Sequence, residues 1–226
     1  MDGHRGIYIC IEGLDGCGKS TLFKEVTRRL QESAFPFDTV CPTRASEPPN
    51  WLEKLFRRSA FLRNSSAFRA FVYAARSSRA CATTDWSKPL ILGDRSVITS
   101  YVTRWRRWFD SPFLSRLAVD VLEPRIPGPD HVVFLDAPMQ MLRQRLNHRG
   151  APLDIDETTE RALQMRRAYE EIRSTGCVPR LGATSWHIVD ASRSPEAVAD
   201  EVWHLLTRIT PEIVAEGHRR LLTEIA

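Results

Sequence analysis

The stretch Gly13-Leu14-Asp15-Gly16-Cys17-Gly18-Lys19-Ser20-Thr21 decides how the rest of the chain is read. It fits the pattern Gly, four residues, Gly-Lys-Ser/Thr, with an apolar run from Ile7 to Ile11 before it and Leu22, Val26 and Leu30 at helical spacing after it. A loop that holds a triphosphate needs glycines so that the backbone can approach the phosphates, and N–H groups at a helix N-terminus to meet their charge. Gly13, Gly16 and Gly18 supply the first requirement. Lys19 is placed to reach the β- and γ-phosphates, and the Ser20 hydroxyl to hold Mg²⁺. Cys17 reads as a small residue at a variable loop position, with a reactive thiol near a helix N-terminus as the alternative.

Outward from the loop, strand-like and helix-like segments alternate over the whole length, which predicts an α/β domain with a parallel sheet. Strands are expected at Ile7–Glu12, Phe37–Cys41, Leu90–Gly93, His131–Leu135 and Trp186–Val189. Helices are expected from Leu22 to about Ser33, over Trp51–Leu62, Ser66–Cys81, Met139–His148 and Glu157–Ser174, and from Pro195 to Ile209. A further helix carries Arg104-Trp105-Arg106-Arg107-Trp108-Phe109, where Tyr101, Trp105 and Trp108 form one stripe. Such a stripe reads as a buried or dimer face before it reads as a stacking platform for nucleic acid. No internal repeat or linker divides the chain, so residues 1–226 are taken as one domain. A charged, Gly/Pro-bounded excursion over about 149–157 reads as a lid, and an amphipathic tail runs over 211–226.

In open parallel sheets, ligands sit beyond the carboxyl ends of the strands. Arg44 and Glu47, in the proline-rich loop after the second strand, are therefore candidates to face a second substrate. Arg69 and Arg76 lie two turns apart on one helix and share a face that can point at an acceptor phosphate or base. Asp94-Arg95 ends the third strand: Asp94 suits the Mg²⁺ shell and Arg95 the charge on a transferring phosphoryl group, while an N-cap at Asp94 is the structural alternative. Arg143 and Arg145 precede the lid, Arg149 opens it, and all three are placed to close over phosphates.

Composition narrows the class. The five cysteines, Cys10, Cys17, Cys41, Cys81 and Cys177, are scattered without a CxxC pair, which points to a reducing, cytoplasmic setting and away from disulfide or zinc frameworks. No apolar run approaches the roughly 20 residues of a membrane span, and the first residues do not read as a signal peptide. The net charge of +4 is mild for a nucleic-acid binder and ordinary for an enzyme of phosphates.

Taken together, the residues resemble the thymidylate kinase family of nucleoside monophosphate kinases. The points of likeness are Ile11-Glu12-Gly13-Leu14-Asp15-Gly16 with the loop, Glu47-Pro48, Arg76 in the third helix, Asp94-Arg95, the lid run from Arg149-Gly150 through Leu153-Asp154 to Glu157, and Asp190-Ala191-Ser192 before Pro195-Glu196. The resemblance implies a P-loop kinase fold, a five-stranded parallel sheet flanked by helices with a short lid. It also implies transfer of the γ-phosphoryl group of ATP, with Mg²⁺, to a deoxynucleoside monophosphate such as dTMP, and usually a homodimer. Carried over by position, Lys19, Ser20 and Thr21 hold phosphates and metal, Arg95 bridges donor and acceptor, and Asp94 orders the metal shell. Arg76 would bind the acceptor, and the loop after Ser192 lie near adenine; in the mechanism read from the residues themselves, Asp15 orients the acceptor and Arg149 or Arg145 acts from the lid.

The chain departs from that family at Ser46, Pro49-Asn50, Ser78, Ser96 and Ile155. Glu47-Pro48-Pro49-Asn50-Trp51 and Asp94-Arg95-Ser96 are similar instead to deoxynucleoside kinases, whose hydroxyl acceptor needs a general base, the role Glu47 would take. A monophosphate acceptor needs cations, and Arg44, Arg69 and Arg76 are available. The surplus of arginines, the short lid and Asp190-Ala191-Ser192 favour the monophosphate. A nucleotide-binding regulator is the third reading; the chain lacks the Asn-Lys-x-Asp base-reading motif of a GTPase.

Overall fold

The computed structural model describes residues 5–45, 47–104, 112–149 and 158–216. Five strands, β1 (Ile7–Gly13), β2 (Phe37–Val40), β3 (Leu90–Asp94), β4 (His131–Asp136) and β5 (Ser185–Asp190), form one sheet in the order β2-β3-β1-β4-β5. Every pairing is parallel. The central strand is buried from Tyr8 to Glu12, and Ile9, Ile11, Leu90 and Ile91 are essentially inaccessible. Burying each such side chain stabilises the fold by roughly 1.5–3 kcal/mol.

Helices flank the sheet. Helix α1 (Lys19–Glu32) follows the phosphate loop, α2 (Trp51–Arg58), α3 (Ala60–Asn64) and α4 (Ser66–Thr83) join β2 to β3, and α5 (Val97–Arg104) and α6 (Pro112–Leu122) join β3 to β4. After β4 come α7 (Met139–His148) and α8 (Thr159–Thr175), and α9 (Pro195–Ile209) follows β5. Helix α1 packs on α9, while α5 packs on α6 and α8. The buried Arg104 of α5 meets Glu123, just past α6, at 2.7 Å, and Ser100 donates to the same carboxylate at 3.0 Å.

Local chemistry sets the boundaries. Asn50, Ser65, Thr158 and Ser194 each cap the helix that follows through a side-chain oxygen. The helix expected over Trp51–Leu62 is instead two, because Ser59 adopts an extended backbone and its hydroxyl accepts from Leu62 N, starting α3 where α2 ends. Asp94 is not the cap of α5: Ser96 takes that place, its Oγ accepting from Ile98 N at 3.1 Å. Helix α8 begins at Thr159, capped by Thr158, and the expected start at Glu157 lies outside the described residues. The lid over 150–157, Trp105, Trp108 and the tail beyond residue 216 lie outside the described residues; of the expected aromatic stripe only Tyr101 is described, and it is buried. No helix among the described residues is long and apolar enough to cross a membrane.

Strand register gathers the carboxyl ends. Ile11 lies beside Asp94, Gly13 beside Leu135, and Asp136 beside Asp190. Two glycines permit this closeness: a Cβ on Gly93 would meet the Tyr8 ring at 2.8 Å, and one on Gly13, at φ +142°, would meet the Leu135 carbonyl at 2.6 Å.

Candidate active site

A cleft of about 770 Å³ opens at these carboxyl ends, a size suited to a nucleotide. Its walls come from the phosphate loop and first turn of α1, from Asp94 and Arg95 at the end of β3, from α7, and from the start of α9. Helix α1 starts after Gly18, whose φ of +99° is left-handed and whose Cβ position faces open space. The first N–H groups of α1, with the positive end of its dipole, therefore face the cleft floor formed by Gly16, Gly18, Ser20 and Thr21.

Lys19 is buried, and its Nζ donates to the carbonyl oxygens of Gly13 at 2.9 Å and Leu14 at 2.7 Å. It also lies 3.5 Å from Asp15 Oδ1 and 3.7 Å from the buried Cys17 Sγ, so that thiol packs beneath the lysine. The same Asp15 oxygen accepts from Arg95 Nη2. One carboxylate thus ties the loop lysine to the arginine at the end of β3. Burial opposes the charge on Asp15, but Arg95 and Lys19 outweigh it and hold its pKa below the usual carboxylate value. Burial likewise opposes charge on Arg95, yet Asp15, Tyr169 and Glu12 keep its pKa above normal. Both groups stay charged at any physiological pH.

The far end of the cleft is lined by Arg145, Arg149, Ala191 and Arg193. Arg145 donates to the Ala191 carbonyl at 3.0 Å, and Arg193 reaches Asp190 O at 3.3 Å and Glu201. Ser192 is not part of the lining; its neighbours on either side are. Asp94 is one of the wall residues, with Arg44 Nη2 3.9 Å away at the rim. A hydroxyl at Ser20, a carboxylate at Asp94, a lysine and exposed helix N–H groups in one cleft are a donor set that fits a magnesium nucleotide.

The structure thus brings together Asp15, Gly16, Gly18, Lys19, Ser20, Thr21, Asp94, Arg95, Arg145 and Arg149, with Gly13 beneath the loop. Four expected acceptor residues stand apart from this lining. Glu47 is exposed, Arg44 sits at the rim, and Arg69 is buried. Arg76 is engaged by Glu53 through two hydrogen bonds of 2.6 and 2.8 Å and donates to Thr43 O at 3.1 Å. Its guanidinium also lies 5.0 Å from the centre of the Tyr73 ring. Arg69 and Arg76 therefore do not present a common open face.

Sequence reasoning missed Glu53, Arg193 and the buried carboxylate of Glu12, which accepts from Ser96, Thr99 and Tyr169. Glu12 did carry a signal: an acidic residue closing an otherwise apolar central strand has to be paired. Glu53 and Arg193 carried none, as both read as ordinary charges on helices and loops.

A family model described as thymidylate kinase matches residues 11–202. The thymidylate kinase of Leptospira interrogans serovar copenhageni is 26% identical over 175 residues, covering 76% of this chain and 84% of that one. The thymidylate kinase of Cupriavidus necator is 26% identical over 219 residues, covering 91% and 100%. Among solved structures, a deoxyadenosine kinase from M. mycoides with dCMP and a flexible dCDP bound aligns with a TM-score of 0.61, covering 90% of this chain and all of that one. At 15% identity, that likeness speaks to the fold alone. From the end of β1 through the phosphate loop and into the helix after β5, the match spans the elements that build the cleft, and the chain belongs to the thymidylate kinase family, the nucleoside monophosphate kinases.

Proposed function

We propose that the chain transfers the γ-phosphoryl group of ATP to the phosphate of a deoxynucleoside monophosphate, with dTMP as the acceptor. The observation that carries this is the Lys19–Asp15–Arg95 chain, which holds two cations on one carboxylate oxygen in the lining of a nucleotide-sized cleft. Phosphoryl transfer asks the protein for positioning and for charge opposite the equatorial oxygens rather than for covalent chemistry.

In this reading the N–H groups of α1 and Lys19 hold the β- and γ-phosphates. Arg95 stabilises the charge that develops between donor and acceptor, helped by Arg145 or Arg149 from the lid side. Ser20 and Asp94 would hold Mg²⁺, which neutralises phosphate charge when bound. Asp15 keeps Arg95 aimed across the loop and orients the acceptor. Arg76, Arg44 and Arg69 serve the acceptor side, Glu47 lines its approach, and the segment around Ser192 borders the adenine. A homodimer is part of the same proposal: Phe113, Leu117 and Val121 are exposed at one-turn spacing on α6, an apolar stripe of the kind a second copy covers.

The test is a coupled ATP-consumption assay with Mg²⁺ against dTMP, other monophosphates, thymidine and deoxycytidine, with products identified by mass and Lys19→Ala as the inactive control. Formation of dTDP is the expected result. Arg95→Ala should slow turnover about a hundredfold or more, the usual cost of losing such an electrostatic contact. ATP loss without a phosphorylated product overturns the kinase reading, and turnover of nucleosides alone moves the acceptor from phosphate to hydroxyl.

A further inference from the structure

Glu12 is the last but one residue of β1 and is fully buried. Its Oε1 accepts from the backbone N of Ser96 and from Ser96 Oγ, both at 2.8 Å. Its Oε2 accepts from Thr99 Oγ1 at 2.8 Å and from Tyr169 Oη at 2.9 Å. With four donors satisfied and no surface exposed, this carboxylate does not touch a substrate. Stability alone does not require it either, since burying a charge is costly and a well-packed apolar cluster would serve as well.

The residue next to Ser96 explains what the carboxylate accomplishes. Arg95 has φ of +71°, in the left-handed region that residues with a side chain avoid. Such a backbone persists only where its surroundings over-determine it. Here Arg95 N donates to Ile11 O at 3.1 Å, and Glu12, the next residue on β1, grips both donors of Ser96. Two consecutive residues of the central strand thus clamp the turn on both sides of Arg95. The outcome is that the guanidinium points back over the loop to Asp15, three positions after Glu12.

We propose that Glu12 is a positioning residue for phosphoryl transfer: by holding Ser96, it fixes Arg95 in the left-handed backbone that aims its guanidinium at the phosphate loop. The proposal rests on the reading of Arg95 as the charge-stabilising group. Oε2, through Tyr169, ties the same carboxylate to α8, the helix that α5 packs on, and so braces the clamp against a second helix.

A double-mutant cycle on kcat and KM tests it, using the full chain with ATP, Mg²⁺ and dTMP. Glu12→Gln keeps the shape but turns one acceptor oxygen into a donor. It is expected to lower kcat on the order of tenfold to a hundredfold while the KM for ATP stays within about threefold, because the phosphate loop itself is untouched. In an Arg95→Ala background the same change should cost less than about twofold more, since the residue it positions is gone. A general structural defect would instead multiply the two losses and raise both KM values. Should Glu12→Gln fail to fold, as read by thermal melting, Ser96→Ala removes one arm of the clamp with the carboxylate intact, and the same non-additivity is expected. A slow Arg95→Ala with an unimpaired Glu12→Gln, or with multiplying losses, overturns the role of Glu12 alone. An Arg95→Ala enzyme as fast as the parent overturns the reading of Arg95 and this proposal together.

Discussion

Arg76 is held by a partner on another helix. Its guanidinium is planar, lies over aromatic rings, and bonds to both oxygens of the nearly buried Glu53, a geometry that lysine cannot reproduce. Hydrogen bonding from Arg76, against some burial, keeps the Glu53 carboxyl below its usual pKa and therefore ionised. If Arg76 also meets the acceptor, Arg76→Ala raises the acceptor KM about tenfold or more, the equivalent of one charged hydrogen bond, and leaves the ATP KM unmoved. Steady-state kinetics with each substrate varied in turn distinguishes this from a purely structural partner of Glu53, for which only the melting temperature falls. Arg76 itself was legible in the sequence as an arginine in an apolar helix. Its partner was not, because Glu53 lies on a different helix and only the packing of α2 on α4 brings them together.

At the scale of elements, caps and register did what the local sequence asked. Asn50, Ser65, Thr158 and Ser194 start helices where short polar residues precede apolar periodicity, and Pro195 occupies the first turn of α9. The split between α2 and α3 was harder to see, since Ser59 sits in an unbroken run of good helix formers and its capping role depends on the backbone turning there. Helices α5 and α6 are held by a contact with no local signature, the buried pair of Arg104 with Glu123. Glu123→Ala strands a buried guanidinium, so chemical denaturation should show a loss of about 3–5 kcal/mol, far more than an exposed pair would cost. A loss below about 1 kcal/mol would mean that water reaches Arg104 once the carboxylate is gone.

Over the whole molecule, the sheet makes pH a variable through a pair of histidines that no motif announced. His131 on β4 and His187 on β5 lie with Nδ1 and Nε2 3.1 Å apart and their rings stacked. Burial lowers the pKa of both; Asp130 partly restores that of His131, while His131 and Arg208 lower that of His187 further. A histidine with a depressed folded pKa binds protons more readily when unfolded. Its contribution to stability is therefore complete above the unfolded value of about 6.5 and is lost as pH falls below it. The melting temperature should drop between pH 7.5 and pH 5.5, and His187→Gln should flatten that dependence.

The sequence by itself determined the phosphate loop, five strands within one or two residues, and Asp94-Arg95 at a strand end, because each is set by neighbours close along the chain. Backbone torsions, helical and strand periodicity, and glycine spacing are local quantities. Only the tertiary structure decided which polar groups meet: Asp15 with Arg95, Glu12 with Ser96 and Tyr169, Glu53 with Arg76, and His131 with His187. Those pairs join residues from 23 to 157 positions apart. They arise because a parallel sheet in the order β2-β3-β1-β4-β5 stacks distant strand ends into one layer and because helices such as α2 and α4 pack on each other, and no periodicity in the chain encodes which side chains will then lie within hydrogen-bonding distance of one another.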